Sequence, residues 1–263
     1  MPENNIEAGD LTLIRDAAQE AGRIAMRYFR KDPDVWYKGG RSPVSEADIA
    51  VNRFLHAELL KARPEYGWLS EETEDDKSRL QGDAVFVVDP IDGTRAFVKG
   101  KDVWCVSVAV VRDGITVAGV LSCPACGEFF EGSADGNALK NGKPIKVAKA
   151  GTGGLIASPD IVFDRLPKNL VRGMKRSPHI PSLAYRIAMV ADGRLAATFI
   201  KPNSHDWDLA AADLILRNAG GAITDIDGSP LRYNKNTISH GILIAGPDEF
   251  LPDLQFAASG IDL

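Results

Sequence analysis

The sequence is poor in cysteine and has no long apolar run. It contains three cysteines among 263 residues, and an odd, small number of thiols does not build a disulfide framework. No stretch approaches the roughly 18 consecutive apolar residues of a membrane-spanning helix. The polar N-terminus does not resemble a signal peptide. These features predict a cytoplasmic globular protein that does not cross a membrane.

An excess of positive charge is also absent. The chain has 31 lysines and arginines against 36 aspartates and glutamates, which gives a net charge of −5. General nucleic-acid binding depends on a basic surface, so this class of partner is excluded. The hydrophobic fraction of 44% and the charged fraction of 25% are ordinary for a folded chain. Long disordered or coiled-coil states are therefore not expected.

Two of the cysteines, Cys123 and Cys126, form a Cys-x-x-Cys motif. A redox motif of this kind usually lies at a helix N-terminus, and a zinc site needs two further ligands. Here the motif lies between two strand-like runs at residues 117–122 and 128–131. The sequence favours a hairpin turn over redox or zinc chemistry.

Hydrophobic spacing predicts a mixed α+β chain. Apolar residues three and four apart indicate an amphipathic helix over residues 10–30, with Asp10 as its cap, and a second helix from about residue 45 to 62. A Gly-rich stretch near residue 151 predicts a boundary between subdomains 1–152 and 153–263. The remaining predicted elements are strands at 67–69, 84–88, 105–112, 115–122, 128–131, 155–158, 195–200, 222–225 and 241–245, and helices at 182–191 and 209–219.

The segment Asp89-Pro90-Ile91-Asp92-Gly93-Thr94 is the most informative part of the sequence. A fully apolar strand ends in two aspartates that are three residues apart. Buried carboxylates need a cation or strong hydrogen-bond donors, and hard oxygen ligands suit Mg²⁺. An Asx-type turn that ends an ordinary strand has the same pattern. Spacing alone leaves both interpretations open.

Three further acids have ordinary explanations when each is taken alone. Asp208 begins an apolar helix and resembles a capping acid. Asp48 follows Ser45 in a segment that also resembles a helix cap. Glu71 follows a short apolar run, where an acidic pair usually belongs to a solvated loop. None of the three predicts chemistry by itself.

Together, in this order, the acidic segments resemble the inositol monophosphatase family of Mg²⁺-dependent, lithium-sensitive phosphatases. The resemblance extends from the first helix to about residue 247. It implies a layered α-β-α-β-α fold, similar to that of sugar bisphosphatases, and a homodimer. The matching segments are Lys38…Ser42-Pro43…Ala47-Asp48, Gly67-Trp68-Leu69-Ser70-Glu71-Glu72, Asp89-Pro90-Ile91-Asp92-Gly93-Thr94 and Trp207-Asp208-Leu209-Ala210-Ala211 followed by Gly220-Gly221.

The resemblance also implies a metal site. Glu71, Asp89 and the Ile91 carbonyl would hold one Mg²⁺, and Asp89, Asp92 and Asp208 would hold a second. Glu71 would also support a third, weaker ion. Such cations lower the pKa of a water and neutralise phosphate oxygens.

The catalytic pair implied by the resemblance is Thr94 and Asp48. These two side chains would orient the attacking water for in-line attack on phosphorus, without a phosphoenzyme. A regulator that keeps the fold without catalysis is the alternative from another class. The complete set of acids and Thr94 argues against that alternative, because loss of catalysis usually leaves gaps in such a set.

The substrate is expected to be a small phosphorylated metabolite, with inositol 1-phosphate as the family's default. The substrate contacts implied by the resemblance are Gly93, Thr94, Ala184, Lys201 and Asp208. Inositol-selective members typically have an acid where this chain has Lys201. A lysine cannot accept hydrogen bonds from ring hydroxyls and favours an extra phosphate or carboxylate. Histidinol phosphate remains an alternative substrate because Arg95-Ala96-Phe97 after Thr94 is more similar to the histidinol-phosphatase branch. Adenosine 3′,5′-bisphosphate remains another because residues 225–233 resemble members that act on adenosine bisphosphates.

Overall fold

The computed structural model describes residues 3–39, 42–149 and 153–258. Seven α-helices are present in these ranges: α1 Glu3–Met26, α2 Glu46–Ala62, α3 Thr94–Val98, α4 Asp160–Arg165, α5 Leu183–Ala191, α6 Asp206–Asn218 and α7 Leu251–Ala258. Two short 3₁₀ turns lie at Ser78–Gln81 and Pro124–Cys126.

The strands form two large sheets and two small ribbons. The ribbons pair β1 Val35–Lys38 with β2 Ser42–Ser45, and β13 Ser204–His205 with β15 Ser239–His240. The seven-stranded sheet contains, in spatial order, β3 Gly67–Ser70, β4 Ala84–Asp92, β5 Cys105–Arg112, β6 Ile115–Cys123, β7 Glu128–Ser133, β8 Leu139–Lys140 and β9 Lys143–Pro144. The five-stranded sheet contains, in spatial order, β11 Met174–Arg176, β10 Gly154–Ala157, β12 Ala197–Ile200, β16 Leu243–Pro247 and β14 Gly221–Asp225.

The elements stack as α-β-α-β-α layers, as the resemblance implies. Helices α1 and α2 cover one face of the seven-stranded sheet. Helices α5 and α6 lie between the two sheets, and α4 and α7 cover the outer face of the five-stranded sheet. Three apolar clusters fill the spaces between these layers. This arrangement confirms the predicted α+β fold class.

The path of β4 follows from its composition. All nine of its residues are buried, because one face packs on α1 and α2 and the other on the layer between the sheets. Burying one valine side chain in this way contributes roughly 1.5–3 kcal/mol. The strand pairs in parallel with β3 and antiparallel with β5, so its C-terminal end is fixed from both sides.

Helix α6 packs directly on the seven-stranded sheet at Gly119 of β6. A Cβ atom at Gly119 would lie 3.0 Å from the backbone of Ala211, closer than a side chain tolerates. The absence of a side chain therefore lets the helix approach the sheet. This contact holds α6 against the sheet that carries β4.

Several sequence expectations differ from the structure. The prediction that Asp10 caps the first helix is wrong, because α1 begins at Glu3 and Asp10 lies inside it. Asp10 is buried and accepts hydrogen bonds from Arg63 (3.0 Å) and Tyr66 (2.8 Å). The predicted turn at Cys123 and Cys126 is confirmed, since a 3₁₀ turn joins β6 to β7 and both thiols are free.

Other expectations concern the chain's organisation. The centre of the predicted subdomain boundary, residues 150–152, lies outside the described residues, as do residues 40–41 of the predicted loop before α2. Among the residues described, no helix is long and apolar enough to cross a bilayer.

Candidate active site

The C-terminal end of β4 places two aspartates side by side. Asp89 pairs with Ser107 and Asp92 with Cys105 of β5, and the register shifts between these two pairs. A bulge of this kind re-aims side chains at the end of a strand. Both aspartates are buried, with exposed fractions of 1% and 6%.

Helix α6 supplies a third carboxylate, from its first turn. Asp208 is the third helical residue, and its carboxylate accepts a hydrogen bond of 2.7 Å from the His205 backbone amide. The helix thus begins with a capping interaction that fixes the carboxylate. Each of Asp89, Asp92 and Asp208 offers one oxygen, and these oxygens lie within 4.8 Å of one another.

The electrostatics of these three carboxylates fit a hard cation. Burial, followed by the charges of Glu71 and Asp92, raises the pKa of Asp89 well above its ordinary value. Burial and the charge of Asp92 do the same for Asp208. Concentrated negative charge in a buried site is unfavourable unless a cation binds there. Clustered carboxylate oxygens are the ligands that Mg²⁺ and similar divalent ions prefer.

Glu71 and the Ile91 carbonyl lie on the same cavity. Burial, with the charges of Glu72 and Asp48, raises the pKa of Glu71 to about 7, although Lys38 opposes this shift. Glu71 is not part of the tight group of three carboxylates, but its charge acts on both Asp89 and Asp208. It is therefore placed to join a ligand set that is wider than the three aspartates.

Asp48 and Thr94 are brought together from helices far apart in sequence. Asp48 lies in the first turn of α2, where it accepts hydrogen bonds from the Ser45 amide (2.8 Å) and the Ser45 hydroxyl (2.5 Å). Thr94 Oγ1 lies 3.2 Å from Asp48 Oδ1 and 3.0 Å from the Ile91 carbonyl. Burial raises the pKa of Asp48 to about 6, and the hydrogen bonds from Ser45 limit that rise.

Gly93 lets α5 approach the end of β4. It has φ +97°, and a Cβ atom would lie 3.1 Å from both Ser182 Cβ and the Val103 carbonyl. This close approach allows Asp92 to accept hydrogen bonds from the start of α5. The donors are the Ser182 hydroxyl (2.6 Å), the Leu183 amide (3.2 Å) and the Ala184 amide (2.6 Å). Asp92 thereby links the seven-stranded sheet to the helix layer between the two sheets.

These bonds bear on Ala184, which the resemblance implied as a substrate contact. Its amide donates to Asp92, and its side chain is fully buried. The other implied contacts, Gly93, Thr94, Lys201 and Asp208, all line the cavity.

The cavity has a volume of about 720 Å³, and its wall contains both acidic and basic side chains. The acidic part includes the carboxylates described above. The cationic part of the wall includes Arg176, His179, Arg186 and Lys201. Of these four basic residues, only Lys201 was predicted as a substrate contact, because the other three belong to segments without a motif.

His205 and Trp207 lie beside the site and support it. Their rings stack at a centroid distance of 4.8 Å and an angle of 8°. Trp207 packs against the core between the sheets. This stack braces the start of α6, where Asp208 lies.

Comparisons with known proteins agree with this geometry. The family model described as "Inositol monophosphatase family" matches residues 10–254. An inositol-1-monophosphatase of Mesorhizobium japonicum is 33% identical, covering 90% of this chain and 91% of its own. A histidinol-phosphatase of Chlorobaculum parvum is 28% identical, covering 90% and 96%. The crystal structure of extragenic suppressor protein suhB from Bartonella henselae matches with a TM-score of 0.82 and 30% identity, covering 96% and 100%.

Proposed function

Because the chain belongs to the inositol monophosphatase family and is a metal-dependent phosphoric monoester hydrolase, we propose that it uses Mg²⁺ to hydrolyse a small phosphorylated metabolite. The observation that carries the proposal is the group of three carboxylates, two buried (Asp89 and Asp92) and one half-buried (Asp208), whose oxygens lie within 4.8 Å of one another. Asp48 and Thr94 lie beside this group on the same side of the fold.

The proposed metal ligands are the carboxylate and carbonyl oxygens of the site. Glu71, Asp89 and the Ile91 carbonyl hold one Mg²⁺, and Asp89, Asp92 and Asp208 hold a second. Glu71 also supports a third, weaker ion. When bound, the ions supply Lewis acidity towards phosphate oxygens and lower the pKa of a water.

Asp48 and Thr94 orient and deprotonate the attacking water in this proposal. The single hydrogen of the Thr94 hydroxyl can be donated to Asp48 (3.2 Å) or to the Ile91 carbonyl (3.0 Å), and in either case its lone pairs can accept a hydrogen bond from the water. With a pKa of about 6, Asp48 is mostly ionised at neutral pH and can accept a proton. A base with a pKa near the working pH is the most effective proton acceptor.

Inositol 1-phosphate is the proposed substrate, since a relative that this chain covers well has the name inositol-1-monophosphatase. Gly93, Thr94, Lys201 and Asp208 are the proposed contacts because they line the cavity. Adenosine 3′,5′-bisphosphate is the second candidate, and the cationic part of the wall favours it. Histidinol phosphate is a weaker candidate, because its ammonium group would face Arg186 and Lys201.

Three family properties are part of the proposal. They are inhibition by lithium, a homodimeric state and a cytoplasmic location. Lithium titration of the activity and light scattering of the purified protein test the first two. Division of the chain into subdomains 1–152 and 153–263 is proposed as well, and limited proteolysis near residue 151 tests it.

Phosphate release tests the proposal directly. Inositol 1-phosphate, histidinol phosphate, adenosine 3′,5′-bisphosphate and fructose 1,6-bisphosphate are incubated with the protein, with and without Mg²⁺. The Asp92→Asn variant is the blank. Mg²⁺-dependent release that the blank lacks supports the proposal. No release from any compound would favour a non-catalytic regulator, and turnover by Asp92→Asn equal to the parent would overturn the metal assignment.

A further inference from the structure

Arg186 is a half-buried cation without a hydrogen-bonding partner among the described residues. It lies on α5 and lines the cavity. Its Nε atom is buried and makes no hydrogen bond. Burying a guanidinium without a partner costs free energy, so buried cations are normally paired with an anion. An anion bound in the cavity would therefore be a suitable partner for Arg186.

Asp92 does not take that role. Its charge favours the charged form of Arg186, although burial lowers the pKa of the arginine overall. The two Asp92 oxygens already accept hydrogen bonds from Ser182, Leu183 and Ala184. A carboxylate has about four lone-pair positions, the Cys105 thiol lies 4.0 Å from one Asp92 oxygen, and one Asp92 oxygen belongs to the group of three carboxylates. Arg186 thus gains a distant attraction from Asp92 but no contact.

Other basic residues of the cavity wall lie near Arg186. Burial, followed by the charges of Arg186, Lys101 and Lys201, lowers the pKa of His179. Lys201 is exposed on the same cavity wall. Arg176 also lines this wall, but an ion pair of 2.7 Å with Asp160 already occupies it. The described part of the cavity is also lined by Arg95; among these lysines and arginines, Arg186 and Lys201 are those without a hydrogen bond or ion pair to the described residues.

We propose that Arg186 and Lys201, which line the same cavity as the carboxylates, bind a second anionic group of the substrate, a phosphate or a carboxylate. The proposal deepens the proposed function and rests on it. The planar guanidinium suits either anion, since it can donate two parallel hydrogen bonds. The preferred substrate then has two anionic groups, of which only one is cleaved, so this proposal favours the second candidate, adenosine 3′,5′-bisphosphate, over inositol 1-phosphate.

A competing role is that Arg186 only offsets the negative charge of Asp92. Under that role, neutralising the arginine weakens turnover of all substrates by the same factor. Under the proposal, the loss depends on whether the substrate has the second anion. A pair of substrates that differ in this group separates the two roles.

The experiment compares kcat/KM for two matched pairs. Adenosine 3′-phosphate and adenosine 3′,5′-bisphosphate differ by a phosphate, whereas glycerol 2-phosphate and 2-phosphoglycerate differ by a carboxylate. The variants are Arg186→Gln, Arg186→Lys and, as a matched control, Arg172→Gln, an exposed arginine outside the cavity. The pair with the larger ratio in the parent protein identifies the type of anion.

In each pair, the ratio of interest is kcat/KM of the substrate with two anionic groups divided by kcat/KM of the substrate with one. We expect Arg186→Gln to lower this ratio by about 10- to 100-fold, the range for a lost hydrogen bond to a charged group. The change appears mainly in KM. Arg186→Lys recovers part of the ratio, and Arg172→Gln leaves it as in the parent. Equal losses for both members of each pair, or an unchanged ratio, would overturn the proposal.

Failure of the proposed function has a different signature. The parent protein would then release no phosphate from any of the four compounds in Mg²⁺. Calorimetric binding of the same compounds in Ca²⁺ still tests the second-anion site. Weaker binding of the compounds with two anionic groups to Arg186→Gln than to the parent supports it, and equal binding to the parent and the variant contradicts it.

Discussion

Helices α2 and α6 begin with the same local device and use it differently. In each, an aspartate at the third helical position accepts a hydrogen bond from the backbone amide of the residue before the helix. The distances are 2.8 Å for Ser45 to Asp48 and 2.7 Å for His205 to Asp208. Both aspartates are thereby fixed at a helix N-terminus, where the helix dipole favours a negative charge.

The neighbours of the two carboxylates differ. Asp48 has neutral donors, namely the Ser45 hydroxyl and Thr94, and its pKa is raised only to about 6. Asp208 faces Asp92 and Glu71, and its pKa is raised well above its ordinary value. The comparison teaches that a capping aspartate acquires its chemistry from tertiary neighbours. Neutral donors suit proton transfer, and other carboxylates suit a metal.

The largest effect is expected when Asp208 is replaced by Asn. Loss of a metal ligand removes charge stabilisation of several kcal/mol, so Mg²⁺-dependent kcat/KM should fall by more than about 1000-fold. Asparagine caps a helix as well as aspartate does, so the melting temperature in chelator should not fall. The matched control is Asp253→Asn, in the first turn of α7. Parallel losses of activity and of folding in Asp208→Asn would contradict the metal role.

Replacing Asp48 by Asn should have the next largest effect. The helix keeps its cap, but the water loses its proton acceptor, so kcat should fall by about 100-fold or more. The Mg²⁺ concentration at half-maximal rate should change little. If that concentration rose as strongly as in Asp208→Asn, the two capping aspartates would share one role.

The stability of the metal-free protein should depend on pH. Glu71 has a pKa of about 7 and Asp48 a pKa of about 6 in the folded state, above the values near 4 of the unfolded chain. Between these values the folded state binds more protons, so stability falls as pH rises. The free energy of unfolding in chelator should fall by on the order of 4 kcal/mol between about pH 5 and 8.

Urea denaturation at each pH measures this dependence. Glu71→Gln should flatten it, and added Mg²⁺ should reverse it above about pH 7. A metal-free protein that gains stability as the pH rises from 5 to 8 would show that carboxylate repulsion is not the dominant effect.

The smallest effects are expected from the residues that precede the two helices. Ser45→Ala removes a hydroxyl donor to Asp48 and should cost about 1 kcal/mol of stability. His205→Ala keeps the backbone amide that caps α6 but loses the stacking on Trp207 and the 3.9 Å contact between its ring and the Asp208 carboxylate, so it should cost about 0.5–1 kcal/mol. Thermal unfolding in Mg²⁺ measures both. A larger loss for His205→Ala would show that its ring, rather than its amide, holds the start of α6.

The sequence predicts the parts of the fold that depend on local pattern. The apolar run of β4 and the Ala-rich helix α6 are both found where they were expected, because burial on a sheet demands apolar residues at these spacings. Asp10 was misplaced because a helix with an acid at its eighth residue has no local signal for where it begins. Helix α4 and strand β11 lie in a segment with several prolines and no clear period, so neither was predicted.

The site divides in the same way. The acids of the site could be predicted because they belong to motifs, and the resemblance to the family assigned a role to each of them. Arg186 could not, since it is a single polar residue in an apolar helix and its significance comes from facing a cavity across the fold. The bond from Ala184 to Asp92 was also beyond sequence analysis, because it joins elements 92 residues apart.

Calorimetric titration of Mg²⁺ tests the central claim most directly, because it measures the metal site without relying on any substrate. The parent protein, Asp48→Asn and Asp208→Asn are compared at one pH. We expect the parent and Asp48→Asn to bind with similar affinity, and Asp208→Asn to bind at least about 100-fold more weakly. Binding to Asp208→Asn as tight as to the parent would contradict the assignment of the three carboxylates as the metal site.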